Sequence, residues 1–274
     1  MSKSRIDLLR KPEKKHDLRY LMPRSECPVR SKQAGRPIIV GFETAEAARA
    51  EDAKRVRLAR ACLEQRQPVP RAATKRLIRA LSYGSGRPPR SRASSAASRT
   101  HRIKMAGAVL DLLEREAALP VKAFTLLSGK WMIPSDEMTA ERLLKLKKTI
   151  RNDIDRLKTV EGPGFVIAGF DGEYDEALDT YFVHLHGVLG GAYIKAFQRE
   201  LRDRPKFRPC PFVLRPLRIA DLADPPRQVS YIIKSFWGAT NSEQPRSESK
   251  MAPRRMRRMP EPYSTIYLTA LNEL

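Results

Sequence analysis

"YFVHLHGVLGG", residues 181–191, sets two histidines two apart inside an otherwise apolar run. A short stretch of aromatic, branched and aliphatic residues that ends in paired glycines reads as a buried strand. Side chains two apart on a strand share a face, so His184 and His186 project together with Phe182 and Val188, while Leu185 points the other way. The chain has only four histidines, His16, His101, His184 and His186. The pair is therefore either two partly buried imidazoles with ordinary hydrogen bonds or half of a metal site. Two neutral imidazoles side by side are costly to bury without partners, which favours the metal.

Two imidazoles do not complete a divalent site, which usually takes a carboxylate as well. The preceding apolar, glycine-flanked stretch "GFVIAGFDGEYD" carries Asp171 and Glu173, again two apart on one face. If the two strands are neighbours, one acid reaches the ion. Asp171 and Glu173 are both candidates. Otherwise both acids belong to a solvated hairpin end.

Outward from these strands the periodicity is regular. "VKAFTLLSGKW" is a β-prone run, and the stretch after it carries Leu143, Leu146, Ile150, Ile154 and Leu157 at helical steps with a basic outer face. Beyond the histidine strand, "AYIKAFQRELRDR" reads as a helix ending at Pro205. "PFVLRPLRIADL" reads as a strand that Pro216 confines to an edge or a bulge. "PPRQVSYIIKSFW" reads as a helix with prolines in its first turn. The expected order from Val121 is β, α, β, β, α, β, α, an α+β sheet with helices on one face.

Before this region, "TAEAARAEDAKRVRLARACLEQRQ" predicts a helix capped by Thr44, and "RAATKRLIRALSY" a second one ending at Gly84. "GSGRPPRSRASSAASRT" has the composition of a flexible linker, and "IKMAGAVLDLLEREAALP" predicts a helix stopped by Pro120. Three parts follow: a basic N-terminal extension over residues 1–100 with helical and disordered segments, a sheet domain over 101–240, and a basic tail over 241–274. "STIYLTALNEL" in that tail is read as one further short element.

The net charge of +22 over 274 residues points to an anionic partner, nucleic acid first. Most of the excess lies early, with 25 Lys and Arg against 9 Asp and Glu in residues 1–100. Three scattered cysteines, Cys27, Cys62 and Cys210, indicate neither a zinc ribbon nor a disulfide framework and fit a reducing cytoplasm. No stretch approaches the roughly 18–20 apolar residues of a membrane span, and the first residues lack an apolar signal core. The expected setting is soluble and cytoplasmic, without a membrane.

Downstream, Tyr231 and Lys234 in "VSYIIKSFW" form the only Y-x-x-K of the chain and lie one helical turn apart. The plain reading is an amphipathic helix with a partly exposed tyrosine. With "AFTLL", the acidic strand "GFVIAGFDGEYD", "VHLHGVL" and then "SYIIK" in that order, however, residues 120–240 resemble the HUH endonucleases, and among them the rolling-circle plasmid replication initiators. The chain departs from many of these initiators in carrying Gly187 and Val188 where a further polar residue follows the histidines.

The resemblance implies a ferredoxin-like antiparallel sheet with a central histidine strand. It implies Mg2+ or Mn2+ held by His184, His186 and an acid, Asp171 first and Glu173 as the alternative, with Tyr231 as the nucleophile and Lys234 as its aid. It further implies a bacterial, plasmid- or nucleoid-associated enzyme acting on single-stranded or hairpin origin DNA, with host replication proteins as further partners. Transposases and relaxases share the same chemistry. The rival of another class is a non-catalytic basic nucleic-acid-binding protein on a similar sheet, although the candidate strands carry few of the stacking aromatics such proteins display. A helix-turn-helix regulator built on the basic helices before Gly84 is a third reading, and it can coexist with an enzyme domain.

Overall fold

The computed structural model describes residues 43–83, 90–155, 161–202, 204–223, 225–232, 237–240 and 257–274. Helix α1 (Ala45–Glu64) starts where expected: the Thr44 hydroxyl accepts the Ala47 N–H at 3.0 Å. Helix α2 (Arg71–Leu81) follows, with Leu77 and Leu81 buried. Helix α3 (Ser95–Arg115) begins inside the stretch read as linker, so a boundary at residue 100 falls within a helix.

The reason is a cap supplied from elsewhere in the chain. Ser94 caps α3 locally by accepting the Ala97 N–H. The buried Asp52 carboxylate of α1 accepts the Ser94 hydroxyl and the N–H groups of Ser95 and Ala96. Donors that end a helix are satisfied by an acid more than forty positions upstream, which local composition cannot reveal.

The sheet region keeps the expected order: β1 (Val121–Pro134), α4 (Ala140–Asp155), β2 (Gly164–Asp175), β3 (Thr180–Gly191), α5 (Tyr193–Arg202), β4 (Leu217–Asp221) and α6 (Pro225–Ile232). Beyond it come β5 (Gly238–Thr240), β6 (Arg257–Arg258) and α7 (Tyr263–Asn272). The strands run β4-β1-β3-β2-β5-β6, with β3 interior as expected and β4 at an edge just after Pro216. The pairs β1–β3, β1–β4, β2–β3 and β5–β6 are antiparallel, but β2–β5 is parallel. The sheet is therefore mixed, not antiparallel throughout. β5 runs opposite to β4, the strand before α6, and therefore in the same direction as β2.

Helices cover both faces, not one. Leu185, Leu189, Tyr181, Phe124 and Leu126 point to a large core that takes in Ile150 of α4, Phe197 of α5 and Tyr267 and Leu268 of α7. Val188 and Phe165 point the other way, into a smaller cluster with Ala106, Val109 and Leu110 of α3 and Val229 and Ile232 of α6. Even-numbered β3 residues thus meet α3 and α6, and odd-numbered ones meet the main core. A long bulge in β1 falls between Leu127, which faces His184, and Met132, which faces Phe182. It returns Trp131 and Ile133 to the main core. Of the stretch read as a basic tail, residues 257–274 belong to the fold, since β6 pairs with β5 and α7 buries Tyr267 and Leu268.

Candidate metal centre

Register decides which acid meets the histidines. On β2, Gly169 lies opposite His186 and Asp171 opposite His184, whereas Glu173 lies opposite Phe182, one step further along. Residues directly opposite across an antiparallel pair share a face. His184, His186 and Asp171 therefore gather on the α3/α6 side of the sheet. Their ligand atoms all lie within 4.8 Å of one another, and among the described residues they form the group able to hold a metal ion. Of the two acids expected from the sequence, Asp171 is the one brought in.

Nε2 of each histidine is 3.5 Å from Asp171 Oδ2. That is long for a hydrogen bond, which prefers about 2.7–3.2 Å. It is close to the roughly 3 Å separating two atoms bound at right angles to one ion at about 2.1 Å each. The two rings are edge to face with centroids 4.8 Å apart. Asp171 is 1% exposed, while the two imidazoles keep 13% and 12% of their side-chain surface, so the site opens to solvent through the histidines. The Asp171 carboxylate also accepts the Gly172 N–H at 2.8 Å. Among the described residues, Nδ1 of His184 is buried with no hydrogen-bond partner. One acid and two imidazoles with this spacing fit a divalent cation.

Thr125 of β1 lies opposite His186, and its hydroxyl is 2.9 Å from His186 Nδ1. With Nδ1–H donating to the hydroxyl, Nε2 is left as the lone pair facing Asp171, the usual division of labour in a ligating imidazole. The sequence supplied Thr125 only as part of an apolar strand; its role follows from register.

No family model, curated protein or solved structure matches this chain. The site is thus read from its own geometry.

Tyr231 is a residue of α6, whose Val229 and Ile232 pack beside Val188 on the histidine face. Lys234 lies outside the described residues. At Gly169, opposite His186, a Cβ would sit 2.6 Å from the Ile232 carbonyl oxygen. The absence of a side chain there lets the end of α6 rest on the metal-site row. Nothing in the residue pattern singled out Gly169, because its need is set by a helix more than sixty positions away.

Two other tyrosines of the sheet are unsuited to nucleophilic work. Tyr174 and Tyr181 face the opposite side, donating to Asp179 at 2.6 Å and to the Tyr263 carbonyl at 2.7 Å. Burial pushes both hydroxyls well above the ordinary tyrosine range. Aromatic residues beside lysines, candidates for guiding a strand, also pack inward: Trp131 and Phe207 are buried edge to face, while Lys130 is exposed and Lys206 is paired with Asp153. Trp237 stacks on Tyr267 at 4.5 Å, and Phe236 lies outside the described residues. Among the described residues no helix is long and apolar enough to cross a membrane.

Proposed function

We propose that this chain is a metal-dependent, single-tyrosine DNA nicking and joining enzyme that initiates rolling-circle replication of a plasmid or related mobile element. The observation that carries this reading is the convergence of Asp171, His184 and His186 on one sheet face, with the Tyr231-bearing helix seated on the same row at Gly169. The antiparallel order β4-β1-β3-β2, joined through α4 and α5, supports a ferredoxin-like reading of the central sheet.

Asp171, His184 and His186 would hold Mg2+ or Mn2+, which when bound offsets phosphate charge and polarises phosphorus toward attack. Thr125 keeps the His186 ring in place and its Nε2 available. Asp171, buried and tied to the Gly172 N–H, fixes the third ligand position. The Tyr231 hydroxyl attacks the scissile phosphate in line. Its oxygen forms the new bond to phosphorus, the bond to the 3'-oxygen breaks, and the phenolic proton is exchanged with water while the leaving oxygen takes one up. A free tyrosine has a pKa near 10, so Lys234 one turn on serves to favour the phenolate or the developing phosphorane charge. The 5'-phosphotyrosine keeps the energy of the phosphodiester, so reversal rejoins strands without ATP. DNA in single-stranded or hairpin form is the partner, and the +22 charge supplies sequence-independent affinity.

The test is direct. Purified protein with Mn2+ and single-stranded or hairpin DNA should give a covalent adduct and a cleaved strand on denaturing gels, and Tyr231→Phe should give neither. No adduct from the wild-type chain on candidate origin hairpins, or an undiminished adduct from Tyr231→Phe, rejects the proposal.

A further inference from the structure

On the sheet face away from the histidines, the beginning of α3, α4, α7 and the side chains of Phe170 and Trp237 enclose a cavity of about 700 Å³. Phe170 lies opposite Leu185, which places it on the main-core side, with the metal centre on the other side of the sheet. The lining divides by chemistry: Phe170, Trp237 and Leu271 form an apolar floor, Arg90, Arg92, Lys147 and His101 stand at the rim, and among the described residues no acidic side chain takes part. Arg92 and Lys147 are solvent-exposed, so the charge is presented outward. Lys147 and His101 are both held below their ordinary pKa values, by desolvation first and by the Arg92 charge next. Arg90, Arg92 and Lys147 outnumber the one anionic group of the lining, the main-chain carboxylate of Leu274, so they repel one another and an incoming anion relieves that repulsion.

We infer that this cavity is a nucleotide-binding site separate from the metal centre, with the base on the Phe170–Trp237–Leu271 floor and the phosphate on Arg92 and Lys147. The volume is in the range of small-ligand pockets, and a flat aromatic group joined to a phosphate is the chemistry that satisfies floor and rim together. A plain anion would leave the apolar floor unused, and an apolar ligand would leave the cations uncompensated. The Trp237 ring is clamped between the Gly172 backbone and the Tyr267 ring, so it offers an edge of fixed position. The occupant is either a free nucleotide or one unit of a single strand. The inference rests on the nucleic-acid reading above for that class. Its test uses neither metal nor Tyr231, so loss of nicking and loss of this site are distinguishable.

Trp237 is half-buried at the cavity, whereas Trp131 is 2% exposed elsewhere, so intrinsic fluorescence reports occupancy. The full chain is titrated without divalent metal, at fixed ionic strength, with thymidine monophosphate, inorganic phosphate or a short oligothymidylate. Thymidine monophosphate is expected to give a saturable change that inorganic phosphate at equal concentration does not, and Trp237→Phe is expected to abolish the signal. Arg92→Glu with Lys147→Glu should weaken binding at least about tenfold, with circular dichroism unchanged. Oligothymidylate binding at least about tenfold tighter than the monophosphate assigns a strand, and equal affinity assigns the free nucleotide. No saturable change with either nucleotide, an equal response to inorganic phosphate, or undiminished affinity in the folded double variant overturns the site.

Discussion

At the scale of single residues, the proposed metal centre depends on one hydroxyl that is not itself among the candidate ligands. Thr125 Oγ1 meets His186 Nδ1 at 2.9 Å, so it sets both the tilt of the ring and which nitrogen carries the proton. Thr125→Val keeps the branched shape that suits a strand and removes only the hydroxyl. Loss of such a partner typically lowers metal affinity by about 10–100-fold, and calorimetric titration with Mn2+ should show a drop of that size, with Thr125→Ser close to the wild-type chain. Unchanged affinity in the valine variant would remove Thr125 from the site. Asp171→Asn is the companion: it keeps the amide-sized side chain, loses the negative charge and should lower Mn2+ affinity further than Thr125→Val does. The histidines were legible from the sequence because strand period alone puts them on one face. The preference for Asp171 over Glu173 comes from the family resemblance and not from strand period, because it depends on which residue of β2 stands opposite His184.

At the scale of elements, the proposed reaction needs α6 seated on β2 so that Tyr231 and the candidate ligands share one face. Gly169 has no need of an unusual backbone angle; what it provides is room. Its Cβ would lie 2.6 Å from a backbone carbonyl, which cannot swing aside as a side-chain end can. Gly169→Ala should therefore displace the end of α6, costing about 1–3 kcal/mol of stability by overpacking. Adduct formation should fall at least tenfold while Mn2+ affinity stays within about twofold, because Asp171 and the histidines belong to the strands. A variant with normal adduct yield and an unchanged thermal midpoint would show that the contact does not matter. The order of elements from β1 to α6 was readable because each carries its own period and its own proline or glycine stops. The start of α3 was not, since its cap comes from Asp52 on another helix. Nor was the parallel β5, and while "STIYLTALNEL" reads as a short element, its packing as α7 acquires meaning only beside Tyr174 and Tyr181.

At the scale of the whole molecule, the early helices are part of the structure that carries the site. Val56, Ala59, Leu77 and Leu81 lie in the same buried cluster as Tyr174, Tyr181, Tyr267 and Leu268. The sheet therefore has α1 and α2 beneath its main-core side through α7, and the basic charge of the first hundred residues is partly carried by folded helices. A cut after residue 100 removes α1, α2, the Asp52 cap and the opening turn of α3. Burial of Val56, Leu77 and Leu81 alone contributes roughly 1.5–3 kcal/mol each, and their loss is comparable with the net stability of about 5–15 kcal/mol of an ordinary domain. The shortened chain also exposes the apolar side of α7 to water. A chain consisting of residues 101–274 should consequently show no cooperative thermal transition and little near-ultraviolet dichroism, and its Mn2+ binding should be lost along with the register that assembles Asp171, His184 and His186. Cooperative unfolding within a few degrees of the full chain, with Mn2+ affinity retained, would mean that the N-terminal helices are an appendage after all.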